Sequence, residues 1–239
     1  MSDLWHPNGV NPRASPRVNS VRSQLILTVL AALVPLLLFS LWLVLALSNK
    51  EEEAFRQGLR ETARAAAIAV QKELGTHIGA LETLAASRAL DEGNLKAFRE
   101  QAIRAVESRR GQHWRAIVLA DPSGQHVVST LHPPGAPLPA TVEPVSFREV
   151  LATRLPAVRD LTGPAPGQKE FGVRVPVERG GELRYVLTAL IGPEAIGDVV
   201  SALRIPASSV CTILDRQRII VARSRNADQF VGKPPPPPY

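Results

Sequence analysis

The sequence predicts an α+β protein: a membrane-spanning helix, a long amphipathic helix that follows it, and an antiparallel sheet built from hairpins. Three observations carry this expectation. An uncharged apolar run occupies Leu25 to Leu47, and a stripe of apolar residues at three- and four-residue steps begins at Phe55. After His113, short alternating segments are punctuated by Gly, Pro and Asp turns.

Composition sets the outer bounds. The 239 residues are 45% hydrophobic, enough to pack one large domain or two small ones. Cys211 stands alone, which excludes an internal disulfide and a cysteine-based metal site. The net charge of +6 comes from 28 Lys and Arg scattered among 22 acids, and aromatics are only 5%, so no nucleic-acid partner is expected.

The run "LILTVLAALVPLLLFSLWLVLAL" would make a helix of about 35 Å, long enough to span a bilayer. Pro35 is tolerable there, because neighbouring groups in membrane proteins re-satisfy the carbonyl it frees. Ala46-Leu47-Ser48 loosely resembles a signal-cleavage site, but the run exceeds the roughly 7–15 residues of a cleaved signal, so residues 25–47 read as an uncleaved transmembrane anchor. Arg13, Arg17 and Arg22 precede it, whereas Lys50 and then Glu51, Glu52 and Glu53 follow it. Residues 1–24 are therefore expected to be a cytoplasmic tail, with everything from Asn49 outside.

Residues 48–85 read as one stem helix, with Phe55, Leu59, Ala63, Ala66, Val70, Leu74, Ile78, Leu81 and Leu84 on its apolar face. Such a stripe suits a dimeric stem or the wall of a folded domain. A second helix is expected over Leu95 to Val106, capped by Asn94. Trp114 to Ala120 and Gln125 to Thr130 form a hairpin around Asp121-Pro122-Ser123-Gly124. A Pro-rich loop then leads to a short helix, with Ser146 and Glu149 as its capping box and its end before Pro156. Strands follow at Phe171 to Val177 and Leu183 to Ile191, joined by "ERGGE". Gly192-Pro193 opens a helix to about Leu203. The segment "CTILDRQRIIVARS" repeats the pattern of the first hairpin before the chain reaches "PPPPPY". A lone hairpin is marginal in water, so this terminal segment is expected to be poorly ordered or loosely docked on the stem helix.

This arrangement resembles the double Cache sensor regions of bacterial membrane receptors, over roughly Asn49 to Gly232. The most specific parts are "WRAIVLADPSGQHVVST", "VRVPVERGGELRYVLTALI" and "VCTILDRQRIIVARSRNADQFVG", which are similar to sheet segments in the sensor regions of histidine kinases. The resemblance implies two PAS-like modules hung on one long helix: a membrane-distal Cache module over 86–204, and an incomplete membrane-proximal module over 205–239. It further implies the ligand-sensing region of a receptor, foremost a sensor histidine kinase, held in the inner membrane with its C-terminal part in the periplasm and dimerising through the stem helix. A diguanylate cyclase or chemotaxis receptor with the same sensor, or an envelope module that binds another protein, are the alternatives.

No catalytic machinery is expected in this chain. The histidines His6, His77, His113, His126 and His132 lack metal-binding spacing, no nucleophile elbow surrounds a serine, and no acid/base carboxylate pair is visible. No metal and no cofactor is therefore expected. In Cache domains small metabolites bind between the sheet and the helices and loops covering it, which implies a small-molecule ligand such as an organic acid or amino acid. The candidate binding residues are Trp114, Arg115, Asp160, Arg174 and Tyr185, on or beside the expected strands. Arg grips a carboxylate bidentately, and Trp and Tyr give an apolar wall with a polar handle. The plainer roles stay open: Trp114 and Tyr185 as core, the arginines as a solvated sheet face. The sequence departs from the Tyr, Arg, Trp and Asp pattern with which some Cache relatives bind amino acids.

Overall fold

The computed structural model describes residues 21–141, 144–163, 168–206 and 208–236. Residues 1–20 of the expected tail (1–24) and the last three residues of the Pro-rich end lie outside them. The chain divides into two units, one ending at Gly58 and one starting at Leu59, and helix α1 (Val21–Ala85) runs through both.

In the first unit, Gln24–Trp42 is long and apolar enough to cross a membrane, with a mean hydropathy of 2.5. Leu25, Leu30, Leu36 and Trp42 are all exposed, so this segment presents apolar side chains around its circumference, a surface suited to lipid. Pro35 sits inside the helix, as expected.

In the second unit, α1 presents Ala66, Leu81 and Ala85 to the core, while Val70, Leu74, Ile78 and Leu84 are half-buried. Leu59 and Ala63, at the start of the expected stripe, are exposed. A short helix, α2 (Arg88–Asp91), begins where the Ser87 hydroxyl accepts from Ala89 N–H. Helix α3 (Leu95–Ser108) starts at the foreseen cap: Asn94 Oδ1 accepts from Ala97 N–H at 3.0 Å. Its Phe98 and Ala102 are fully enclosed.

A 3₁₀ turn leads into β1 (Trp114–Ala120), which returns as β2 (His126–Ser129). Asp121 Oδ1 accepts from Ser123 N–H and Gln125 N–H, closing the turn as aspartate does in this position. Helix α4 (Pro144–Thr153) differs from expectation at its start. The Ser146 and Glu149 capping box does not form, because the helix opens two residues earlier at Pro144, whose missing N–H costs nothing in a first turn. Ser146 is instead buried within the helix, where its hydroxyl accepts from Arg174 Nη1 at 2.7 Å.

Strand β3 (Ala157–Thr162) was not foreseen. Strands β4 (Glu170–Arg179) and β5 (Glu182–Ile191) form the expected hairpin, with Gly180 and Gly181 both at positive φ as a two-residue turn of this kind requires. Helix α5 (Glu194–Ala202) follows, with Pro193 at its cap. All five strands pair antiparallel in the order β2-β1-β5-β4-β3.

Alternation along the strands divides the sheet into two faces. One carries Ile117, Leu119, Phe171, Val173, Val175, Leu187 and Ile191 against α1, α3 and α5, and forms the main core. The other carries Ala116, Val118, Ala120, Val186 and Leu190, covered by α4 and the Pro-rich loop. Cover on both faces explains why β1 is apolar almost throughout rather than alternating.

The terminal segment also differs from expectation. Strands β6 (Thr212–Leu214) and β7 (Ile220–Arg223) form the second hairpin, and α6 (Ala227–Phe230) follows. Rather than resting loosely on the stem, this hairpin buries Ile220, Val221 and Ala222. Its turn also bonds to β3: Asp215 Oδ2 accepts from Leu161 N–H at 3.1 Å, and Arg216 Nη2 donates to Val158 O.

Candidate ligand-binding site

The loop-covered face of the sheet holds a cavity of about 190 Å³ in which Arg159, Glu170 and Arg174 lie among apolar neighbours. Its floor follows from strand register. One row across the sheet reads Val118, Thr188, Arg174, Ala157, and the next reads Ala116, Leu190, Gly172, Arg159. Two guanidinium groups therefore project from neighbouring strands into the same space. Arg174 is 2% exposed and Arg159 9% exposed.

Each arginine is seated by its surroundings. Arg174 donates to Ser146 and lies over the Phe147 ring, 5.7 Å from its centroid, so α4 fixes its position. Arg159 Nη2 donates to Glu170 Oε1 at 3.2 Å, while its stem lies across Gly172. Only the absence of a side chain at Gly172 leaves room for this: a Cβ there would stand 3.1 Å from Arg159 Cβ.

The roof comes from β2 and the loop after it. His126, Ser129, Leu131, His132, Pro139 and Thr141 line it. The loop is fastened at several points. Arg99 Nη2 donates to His132 O at 2.8 Å, Thr141 N–H donates to Gly124 O at 2.8 Å, and Gln125 Nε2 donates to Leu138 O at 2.7 Å. Burial, reinforced by Arg174 and His132, pushes the His126 imidazole below its ordinary value and keeps it neutral near pH 7.

On residues that line this cavity, Arg159 Nε and His126 Nδ1 are buried without hydrogen-bond partners among the described residues. Buried polar atoms are rarely left so, because each costs about 1–3 kcal/mol. Both residues border a space large enough to hold a polar occupant.

Of the five candidate residues, the cavity includes Arg174 alone. Trp114 belongs to the main core on the opposite face, 3% exposed, with its Nε1–H donating to His77. Tyr185 packs half-buried on that same core face. Arg115 Nη1 donates to Lys169 O and Nη2 to the Glu194 carboxylate, which ties β1 to α5. Asp160 points to the other side of β3 from Arg159 and accepts from Arg216 Nε at 3.3 Å, beside a larger cavity of about 400 Å³ bordered by Val70, Leu74, Phe171 and Ile213 and by the charged Glu149, Asp215 and Arg216. The structure thus separates the five instead of gathering them. Arg159, Gly172, His126 and Thr188 were missed. One signal was in the sequence: strict alternation around Arg174 in "FGVRVPV" puts Gly172 on the same face.

Neither a protein-family model nor a curated protein sequence matches the chain. Solved structures do. The ligand-binding domain of the Pseudomonas fluorescens chemoreceptor CtaA, in complex with L-isoleucine, superposes with a TM-score of 0.56 at 17% identity, covering 78% of this chain and 74% of that one. The sensor domain of the V. cholerae histidine kinase DctB gives 0.55 at 13% identity, covering 75% and 69%. The ligand-binding domain of the Pseudomonas aeruginosa amino acid chemoreceptor PctC, in complex with GABA, gives 0.53 at 18%, covering 74% and 78%. The fold is that of these Cache-type sensor domains. Within that α+β fold, the cavity lies between the sheet and its covering loop.

Proposed function

We propose that this chain is the ligand-sensing region of a membrane-anchored bacterial receptor, with residues 25–47 as the anchor, 48–85 as the stem, 86–204 as the sensor module and 205–239 as the start of a second module. The sensor lies in the periplasm, and the chain pairs with a second copy through its stem. The observation that carries this reading is the pair of buried arginines, Arg159 and Arg174, that line one small cavity beside the unsatisfied His126 Nδ1 in a sensor-domain fold. The ligand is a small polar metabolite bearing a carboxylate, for which the Arg159 and Arg174 guanidinium groups supply directional donors and Thr188 and Ser129 supply hydroxyls. The apolar patch of Val118, Ala120 and Leu190 accommodates a short hydrocarbon portion.

A sensor histidine kinase is the output we favour. A chemotaxis receptor or diguanylate cyclase would use the same sensor, and a kinase core or signalling rod encoded in the same gene decides among them. Isothermal calorimetry of the full chain in detergent micelles, against organic acids, amino acids and amines, tests the sensing role. The expected result is a carboxylate binder whose affinity falls in Arg174→Ala. A folded protein that binds none of these classes overturns the reading.

A further inference from the structure

Helix α1 holds a second buried titratable group, on the opposite face of the sheet from the cavity. His77 is fully enclosed against Trp114 of β1. Trp114 Nε1–H donates to His77 Nδ1 at 2.8 Å. Indole is a donor only, so this bond makes Nδ1 an acceptor and places the ring hydrogen on Nε2: the imidazole is neutral. Glu73 Oε1 stands 3.2 Å from Nε2 but off the N–H direction, and Nε2 makes no hydrogen bond among the described residues.

The other groups around the ring divide by charge. The Arg109 guanidinium lies over the Trp114 ring, 5.3 Å from its centroid, and His113 stands nearby with its own Nε2 2.8 Å from Asp198. Helix α3 contributes apolar Phe98 and Ala102 to the same core. Burial above all, then Arg109 and His113, oppose a second proton on His77, while Glu73 favours it; the balance holds the imidazole below its ordinary value.

We propose that His77 is a proton-binding site through which the domain responds to acid, a second input separate from the ligand cavity. The proton comes from solvent and attaches to the Nδ1 lone pair. The acceptor thereby becomes a donor, and two N–H groups face each other at hydrogen-bond distance. The Trp114 bond breaks, and Glu73, which is partly exposed, draws the imidazolium toward the surface of α1. The broken bond is a polar link between the stem portion of α1 and β1. Because β1 also places Val118 and Ala120 in the ligand cavity, its displacement registers on both faces of the sheet. The latch is closed above an ordinary histidine value of about 6.5 and opens only below it.

The test uses the full chain in detergent micelles with Trp5 and Trp42 replaced by Phe, so that Trp114 is the one indole reporter. Its emission is expected to change reversibly as pH falls below about 6, with far-UV circular dichroism unchanged. His77→Asn, whose amide oxygen accepts at every pH, is expected to abolish the transition, and Glu73→Gln to move its midpoint down by about one pH unit. An equal transition in His77→Asn, or emission that changes only as the helical signal is lost, overturns the proposal. Nitrogen NMR of the His77 ring covers the case in which a variant misfolds: Nδ1 that stays an acceptor throughout acid titration of the parent chain also overturns it.

Discussion

Arg159 lies across Gly172, so closely that a Cβ at position 172 would sit 3.1 Å from Arg159 Cβ and 3.3 Å from its Nε. The glycine is a seat for a guanidinium on the neighbouring strand. Gly172→Val should therefore lift Arg159 out of the cavity while leaving β4 intact, because valine favours strands. Calorimetry with the bound metabolite is expected to show at least a roughly 10-fold loss of affinity, about 1.4 kcal/mol. Unchanged affinity would separate Arg159 from the ligand.

Two imidazoles, His77 and His126, are held below their ordinary value chiefly by burial. At pH below about 6.5 the unfolded chain binds more protons at these positions than the folded one, so stability is full above that pH and is lost as pH falls toward the lowered folded values. Denaturant midpoints should decline between about pH 7 and 5. The decline should flatten in His77→Asn/His126→Asn, and a slope identical to the parent would refute the assignment. Asp121, held low by its Ser123 hydrogen bond, contributes in the same direction only below about pH 4.

Phe98 is the largest side chain of α3 to be fully enclosed, facing the sheet through the main core. Phe98→Ala should cost about 3–5 kcal/mol in chemical unfolding, the usual price of an aromatic-sized cavity. A loss below about 1 kcal/mol would mean that α3 repacks freely.

Asp215 accepts from Leu161 N–H across to β3 and from Ile219 N–H within its own turn. Asp215→Ala removes both acceptors. Amide exchange at Leu161 and Ile219 is expected to accelerate roughly 5-fold, consistent with about 1 kcal/mol per hydrogen bond, while Leu187 and Ala189 in the central strand keep their protection. Acceleration spread evenly over the sheet would instead indicate global destabilisation.

The elements that could be read from the sequence were those specified locally. Asn94 announces α3, Asp121 and Gly124 announce the first turn, and Gly180-Gly181 announce the second. Strand β3 was missed because "AVRDLT" carries two charges in six residues and becomes a strand only when β4 offers it an edge. The capping box failed for a related reason: Ser146 has the right spacing from Glu149, but its hydroxyl is claimed by Arg174, twenty-eight positions away. The same non-local logic scattered the candidate residues. Arg159, Gly172 and Arg174 meet through the register of β3 and β4, which composition does not disclose. His77 was more accessible, since it lies three residues after Leu74 and four before Leu81, on the buried stripe of α1, where a histidine needs a partner.

The bonding of the β6–β7 turn to β3 bears on how copies of the molecule can associate. Leu161 N–H and Val158 C=O, which an outermost strand would normally leave open to solvent, are occupied by Asp215 and Arg216. At the opposite side of the sheet, the Arg99 guanidinium takes the Ser129 carbonyl of short β2, and the Gln125–Ala140 bridge lies beside it. Both margins are thereby closed to strand addition from a neighbouring chain. Association through this five-stranded sheet is opposed, whereas helical surfaces can slide or rotate against one another without tearing a hydrogen-bonded ladder.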